Sequence, residues 1–151
     1  MSDNESKRST LVGAIHPDVL AFTAGQDLRL DLELVEWDCL GSAAHVTMLS
    51  RMRTTPALFS PAERAAVVRE LAAIMRLGRA GGFAITAEDQ DVHLAVERRL
   101  TEQLGDLGRR IHTGRSRNDQ VAVDLRLHMR ENLLGVIEES AALADVLLAF
   151  A

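Results

Sequence analysis

A dense group of hydrogen-bonding side chains lies between residues 112 and 120, which read His-Thr-Gly-Arg-Ser-Arg-Asn-Asp-Gln. Arg115 and Arg117 carry planar guanidinium groups that suit carboxylates, and Asn118 can donate and accept hydrogen bonds at the same time. An apolar-periodic stretch follows, so the segment is predicted to lie at a helix N-terminus, where backbone N–H groups without intrahelical partners favour anions. This chemistry predicts a site for a small, multiply carboxylated molecule.

The helix that must position this segment is predicted to begin near Ser116 and to run to the end of the chain. Apolar residues recur along it at steps of three and four from Val121 to Leu147, with further apolar residues on the flanking faces. Such a helix needs partners on more than one side. Its last stretch exposes Leu143, Val146 and neighbouring apolar residues, such as Leu147 and Phe150, with no bundle partner in the sequence. Association is therefore expected.

Earlier stretches of the chain are also predicted to be helical, and no strand-like alternation of useful length occurs, so the fold class is all-α. A short piece begins at Pro17, and a longer helix covers about 31–52, where Gly41 is small enough to mark a close helix contact. Ser60, Pro61 and Glu63 form a strong start for a helix that stops near Gly78. A capping signal at 86–89 precedes a further helix to about Leu104.

Composition excludes several classes of function. The chain has 151 residues, 47% of them hydrophobic and only 3% aromatic, which suits one domain with an aliphatic, helical core. A net charge of −5 without a long basic run argues against a nucleic-acid partner, and no apolar run approaches a membrane span. The single cysteine, Cys39, excludes an internal disulfide and is interpreted as a small buried hydrophobe in a reducing, cytoplasmic setting.

The five histidines show no ligand spacing, so no metal is predicted. His93 and Glu97 lie one helical turn apart and can share a face, either as a pair that orders the fold or beside a site. His112 has the reference pKa of a general acid or base, but a structural role is favoured. His45 and its counterpart on the last helix, His128, are interpreted as solvated or core-bonded residues. His16 is expected to be exposed.

The segment from 112 to 120 resembles the signature of argininosuccinate lyases, which belong to the fumarase/aspartase superfamily. Upstream, Glu88-Asp89-Gln90-Asp91-Val92-His93 resembles an acidic segment of that family, and Glu97-Arg98-Arg99-Leu100 follows it. The stretch Asp38-Cys39-Leu40-Gly41-Ser42-Ala43-Ala44-His45 resembles the family's first long helix. The resemblance extends from about Val12 to Ala151.

The resemblance implies a small N-terminal helical domain at 12–111, after a disordered tail at 1–11, and the start of a helical-bundle domain at 112–151. It implies reversible elimination of argininosuccinate to arginine and fumarate, in arginine biosynthesis, by a homotetramer that needs no cofactor. It places substrate-binding residues at Arg115, Ser116 and two further positions, Arg117 and Asn118. His93 is placed beside the site, with Asp89 and Asp91 as caps that position it.

The family's catalytic histidine and serine lie in segments whose patterns do not occur in residues 1–151. No catalytic residue is therefore assigned, and the chain is expected to be an incomplete, inactive part of the enzyme. The family also places a substrate-contacting serine after a phenylalanine, but the residues after Phe22 read Thr-Ala-Gly-Gln-Asp, so no residue is assigned to that role.

Two alternatives remain open. One is a non-catalytic helical module that pairs with a partner. The other is a different lyase of the superfamily, of the adenylosuccinate lyase or fumarase type, although the run from Gly114 to Asp119 resembles the argininosuccinate branch specifically.

Overall fold

A computed structural model describes residues 16–151, and the predicted tail at 1–11 lies outside them. No strand occurs among the described residues, which confirms the all-α prediction. The helices are α1 (Pro17–Ala24), α2 (Asp27–Leu30), α3 (Val35–Leu49), α4 (Pro61–Arg79), α5 (Val92–Leu104), α6 (Asp106–Arg109) and α7 (Arg117–Phe150). Two 3₁₀ turns, at Asp31–Leu34 and Arg110–His112, precede α3 and follow α6.

The start of α4 is the one that its sequence predicts. The Ser60 hydroxyl accepts a hydrogen bond from the Glu63 backbone N–H, and the Glu63 carboxylate accepts one from the Ser60 backbone N–H. This reciprocal pair satisfies two N–H groups that have no partner inside the helix. Pro61 occupies the first helical position, where a missing N–H has no cost.

The capping signal at Thr86–Asp89 does not start α5, so that boundary was predicted too early. The Asp89 carboxylate accepts hydrogen bonds from the backbone N–H and the hydroxyl of Thr86, and the Asp89 N–H returns to the Thr86 carbonyl. These hydrogen bonds close a single turn. Gln90, the next residue, has a positive φ of 68°, which is incompatible with a right-handed helix. Asp91, whose carboxylate accepts from the Leu94 N–H at 3.0 Å, is the actual N-cap.

Two further segments differ from their predicted secondary structure. The long helix predicted from about Asp31 begins as a 3₁₀ turn and is α-helical only from Val35. The stretch from 106 to 112, expected to be a connection, forms the short helix α6 and a 3₁₀ turn. This tight path is possible because Gly108 packs directly on the backbone of α5.

Helix α3 lies at the centre of the structure and packs against α4, α5 and the first turns of α7. The core between these helices is mostly aliphatic, as the composition predicts. It includes the buried residues Val35, Cys39, Val46, Leu49, Phe59, Val67, Leu71, Ile74, Phe83, Val92, Ala95, Val96, Leu100 and Ile111. Gly41 lies where α3 packs closely on α7, since an added Cβ would be 3.3 Å from Val123 and 3.5 Å from Asp124. The predicted close helix contact is therefore confirmed.

Helix α7 extends far beyond the rest of the described structure. It has 34 residues, a length of about 51 Å at the usual helical rise, and its buried residues are Gln120 and Asp124. Beyond these, large apolar side chains are exposed along the helix: Leu133, Leu134, Val136, Ile137, Leu143, Val146, Leu147, Leu148 and Phe150. We call this set the α7 stripe.

Two glycine-to-alanine substitutions are expected to change stability in opposite directions. A Cβ on Gly108 would lie 2.5 Å from the backbone of Leu100 and Thr101, so Gly108→Ala is expected to destabilise the fold by about 1–3 kcal/mol or more. A Cβ on Gly135, inside α7, meets no described atom within 4 Å, so Gly135→Ala is expected to stabilise by about 0.5–1 kcal/mol. Chemical denaturation measures both, and equal effects would contradict the tight α5–α6 packing.

Candidate functional site

The N-terminus of α7 is capped by its own first residues. The Ser116 hydroxyl accepts from the Asp119 backbone N–H at 3.4 Å, and the Asp119 carboxylate accepts from the Ser116 N–H at 2.9 Å. Hydrogen bonding of the Asp119 carboxylate to the backbone N–H and the side chain of Ser116 lowers the pKa of Asp119. The helix start predicted near Ser116 is confirmed, and the hydroxyl of Ser116 serves the cap.

The loop before α7 is held by α3. Gly114 has a φ of 70°, the left-handed conformation that favours glycine. His45 Nε2 donates to the Thr113 carbonyl at 2.9 Å, and an Arg115 guanidinium N–H donates to the Ser42 hydroxyl at 3.0 Å. Desolvation by burial lowers the pKa of His45, which suits a neutral imidazole in this bonding role. The side chain of Arg115 is thus half-buried and braces the loop.

Arg117 and Asn118 lie on the first turn of α7. Arg117 forms an ion pair with Asp91 at 3.0 Å, and Asp91 is also the N-cap of α5, so the start of α7 is tied to the start of α5. Asn118 is exposed. A guanidinium and an amide are therefore exposed on the first turn of a long helix, near the N–H groups of its N-terminus, and groups of these types can hold an anion through several hydrogen bonds.

A buried polar cluster lies beneath this surface, where α3, α5 and α7 meet. His93 Nδ1 is 2.7 Å from Asp38 Oδ1 and 3.7 Å from Asp124 Oδ2. The Gln120 amide donates to Asp38 Oδ1 at 3.3 Å. These residues are only 1–3% exposed. We call Asp38, His93, Gln120 and Asp124 the buried cluster.

The electrostatics of the buried cluster are those of a desolvated ion pair with an extra carboxyl group. Burial opposes protonation of His93, but the hydrogen bond and the charge of Asp38 outweigh it, so the pKa of His93 is raised. Burial, together with the neighbouring Asp38, raises the pKa of Asp124 to about 7. Arg115 is the nearby cation, and its pKa is lowered by burial.

The buried cluster contains three residues of the types that ligate metal ions: Asp38, His93 and Asp124. Ligand atoms of Asp38, His93 and Asp124 lie within 4.8 Å of one another. Two ligands of one metal ion at the usual bond lengths of about 2.1 Å would be about 3 Å apart or more. The 2.7 Å between His93 and Asp38 instead fits a charge-assisted hydrogen bond. The absence of a resident metal, predicted from the sequence, stays a prediction.

Comparison with known proteins supplies the family. A sequence model of a family described as lyase matches residues 22–151. The chain belongs to this lyase family. An argininosuccinate lyase from Crocosphaera subtropica is 41% identical over 139 residues, which cover 92% of this chain and 29% of that relative. An argininosuccinate lyase from Nostoc sp. is 39% identical over 148 residues, which cover 98% of this chain and 31% of that relative.

A third argininosuccinate lyase, from Gloeobacter violaceus, is 47% identical over 119 residues, covering 79% of this chain and 24% of the relative. The lyase chain therefore spans 24–31% of the length of these curated relatives. Across residues 16–151, no helix has the length and the apolar character needed to cross a bilayer.

The structure of this lyase chain brings the contiguous site residues together and separates His93 from them. Arg115, Ser116, Arg117 and Asn118 surround the start of α7. His93 lies beneath, inside the buried cluster, and is 3% exposed. Contact of all five residues with a substrate stays a prediction. Ser116, Arg117 and Asn118 are exposed, Arg115 is half-buried and His93 is buried.

The other histidines of the lyase chain have mainly structural partners. His112 Nε2 is 3.0 Å from the Glu97 carboxylate, which agrees with its favoured structural role and shows that Glu97 contacts His112. His128 lies on α7, 3.9 Å from Glu33. His16 is exposed at the N-cap of α1, as predicted. Cys39 is fully buried, as predicted, and burial raises the pKa of its thiol.

Three members of the buried cluster had not been assigned a role from the sequence: Asp38, Gln120 and Asp124. For Asp38, the helical spacing of the sequence indicates a buried position. Asp38 falls on the same face of α3 as the buried Val35 and Ser42, at spacings of three and four. A charged residue on a face that otherwise points to the core requires a buried partner, since an unpaired buried charge is costly.

Proposed function

We propose that this chain is the part of an argininosuccinate lyase that holds the carboxylates of the substrate. The observation that carries the proposal is the run from Gly114 to Asp119, which lies at the capped N-terminus of a long helix with Arg117 and Asn118 exposed on its first turn. The relatives that are 39–47% identical to the chain and carry the name argininosuccinate lyase support it.

The reaction would be the reversible elimination of argininosuccinate to arginine and fumarate. Removal of a proton next to a carboxylate leaves a carbanion, which is stabilised as an aci-carboxylate whose negative charge needs fixed donors. Arg117, Asn118 and the first N–H groups of α7 would supply these donors. Arg115 would hold the loop through Ser42, because its guanidinium already donates to that hydroxyl. The general base and acid are not assigned to residues of this chain, and the proposal requires no cofactor.

The proposal includes arginine biosynthesis as the process and the cytoplasm as the location. The supporting observation for a reducing compartment is Cys39, the only cysteine of the sequence, which is buried and unpaired. A thiol in this setting acts as a small apolar side chain.

A chimeric enzyme tests the function. The matched segment of the Gloeobacter violaceus relative would be replaced by this chain, giving what we call the chimera. Fumarate absorbance after addition of argininosuccinate measures turnover, with the unmodified relative as the reference. Activity of the chimera is expected. A chimera that folds and assembles like the reference but releases no fumarate would contradict the proposal and favour the non-catalytic helical module.

We further propose that the chain forms homo-oligomers, as a tetramer, through the α7 stripe. The stripe is a contiguous series of exposed apolar side chains, and such patches favour association in water. A second copy is the simplest partner because it would present the same apolar face, and long helices of this kind pack in bundles.

Association of the isolated chain is therefore expected at micromolar concentration, while cleavage of argininosuccinate by it is not. Paired replacement Leu143→Glu and Leu147→Glu places charges in the α7 stripe and is expected to weaken self-association by about tenfold or more. Glu138→Gln, exposed on the side of the same helix away from Leu143 and Leu147, is the control and should leave association unchanged. Light scattering measures both, and a monomeric parent chain would refute the role of the stripe.

A further inference from the structure

The buried cluster contains more negative charge than its hydrogen bonds account for. Asp38 and Asp124 are each 1% exposed, and one carboxylate oxygen of each has no hydrogen-bond partner among the described residues. Arg115 Nε is also buried and also has no hydrogen-bond partner among the described residues. Buried polar atoms usually have partners, so this arrangement requires a specific protonation state.

The distances indicate which carboxyl group is paired. His93 Nδ1 lies 2.7 Å from Asp38, the length of a charge-assisted hydrogen bond, but 3.7 Å from Asp124, which is too long for one. The hydrogen bond donated by His93 Nδ1–H is therefore directed at Asp38, and the raised pKa of His93 favours the protonated imidazole there. If Asp124 were ionised as well, two like charges would be buried side by side with one direct cationic partner, a costly arrangement.

A protonated Asp124 removes this conflict. A carboxylic acid has one O–H donor. Both carboxyl groups lie against the same His93 nitrogen, Asp38 at 2.7 Å and Asp124 at 3.7 Å, and ligand atoms of the three residues lie within 4.8 Å of one another, so a proton on Asp124 can be directed at Asp38. The charged groups that face Asp124 are Asp38 of α3, His93 of α5 and Arg115 of the loop before α7. Arg115 compensates part of the negative charge, but burial disfavours its charged form as well.

We propose that Asp124 keeps its proton into the neutral pH range, where an ordinary aspartic acid is fully ionised, and donates it to Asp38, so that the two carboxyl groups and His93 act as positioning residues for the binding surface at 115–118. The positioning role rests on the proposed function, whereas the shared proton does not. The raised pKa of Asp124, about 7, and the raised pKa of His93 support the same distribution of protons.

The connection from the buried cluster to the binding surface is short. Arg117, Gln120 and Asp124 are spaced at three and four residues, so they lie along one face of α7. Arg117 pairs with Asp91 of α5, and Gln120 donates to Asp38 of α3. These two contacts therefore hold the first two turns of α7 against α5 and α3, and they limit both sliding of α7 along its axis and rotation about it.

Carbon-detected NMR titration of the aspartate carboxyl groups in this chain tests the shared proton. One carboxyl group is expected to titrate near pH 7, and Asp124→Asn should abolish that titration, because asparagine has the same shape and cannot ionise. Asp145→Asn, on the exposed part of α7, is the control and should leave it in place. The absence of any carboxyl group titrating above about pH 5.5 would overturn the proposal.

The same titration, repeated with one equivalent of zinc, separates a proton from a metal ion. The His93 nitrogen resonances are expected to be unchanged by zinc, since the hydrogen bond to Asp38 occupies Nδ1. A stoichiometric shift of those resonances would overturn the proposal by showing that the cluster holds a cation instead.

Thermal unfolding gives a second measurement of the proton. Because the folded-state pKa of Asp124 lies above its unfolded value, the folded state binds this proton more tightly, and the contribution of Asp124 to stability falls as pH rises between about 4 and 7. His93 adds a further loss above about pH 6.5, since its pKa is also raised. Between about pH 5 and 7, the midpoint of the parent is expected to fall by roughly 5 °C more than that of Asp124→Asn. Equal slopes would contradict the proposal.

The positioning role is tested in the chimera. Asp124→Ala is expected to raise KM for argininosuccinate by about tenfold, and Asp124→Asn is expected to recover most of this loss, because its amide can still donate to Asp38. Equal KM values for the alanine and asparagine variants would refute positioning through the hydrogen bond. An inactive parent chimera would count against the proposed function alone, and the NMR titration would still decide the shared proton.

Discussion

Replacement of Asn118 by alanine in the chimera is expected to lower kcat/KM by about a hundredfold or more without unfolding the protein. Asn118 is exposed on the first turn of α7, so its loss leaves no cavity in the core. Removing one fixed hydrogen-bond donor from developing negative charge typically costs about 10²–10³ in rate. Fumarate release gives the rate, and circular dichroism verifies that the helices are retained.

The matched control for Asn118 is Asn132→Ala. Asn132 lies further along α7, is exposed, and donates only within its own helix, to the His128 carbonyl at 2.8 Å. Its replacement should leave kcat/KM within about twofold of the parent chimera. A loss below about tenfold for Asn118→Ala, or roughly 1.4 kcal/mol, would argue against a direct role in transition-state stabilisation.

Loss of His93 is expected to have the largest effect on stability. His93→Ala removes the imidazole that lies 2.7 Å from Asp38, whose raised pKa favours its protonated form, and leaves two buried carboxyl groups together. Breaking a buried ion pair by removing one partner costs about 3–5 kcal/mol. Urea denaturation of the parent and of the variant at neutral pH measures the difference in the free energy of unfolding.

His128→Ala serves as the comparison for His93→Ala. His128 lies on α7 with a long 3.9 Å contact to the exposed Glu33, and its removal is expected to change stability by less than about 0.5 kcal/mol. The loss from His93→Ala should also be smaller at about pH 5, where the remaining carboxyl groups can take up protons. If His93→Ala were as stable as His128→Ala, the buried carboxyl groups of Asp38 and Asp124 would not depend on His93 for charge compensation, and the predicted role of His93 would be wrong.

Helix starts could be predicted from the sequence where the cap is local. The capping boxes at Ser60 and Ser116 each join a residue to the third residue after it, so both partners are visible within four positions. The Thr86–Asp89 signal has the same spacing but forms a turn ahead of α5, because Gln90 takes a positive φ and Asp91 caps the helix instead. Local pattern alone does not distinguish these outcomes.

The contiguous part of the candidate site was also determined by the sequence. Arg115, Ser116, Arg117 and Asn118 are neighbours in the chain, so any helix that begins at Ser116 keeps them on one end. The resemblance carried by the same run indicated the lyase family, which the family match over residues 22–151 then showed.

Only the tertiary structure decided what supports that end of α7. Asp38 and His93 are 55 positions apart, and Asp38 and Gln120 are 82 apart, yet they share hydrogen bonds inside the protein. Helical periodicity assigns a residue to a face, but not to the face of a particular neighbouring helix. Whether a carboxyl group there is solvated or buried, and therefore whether it keeps its proton, depends on how α3, α5 and α7 pack together.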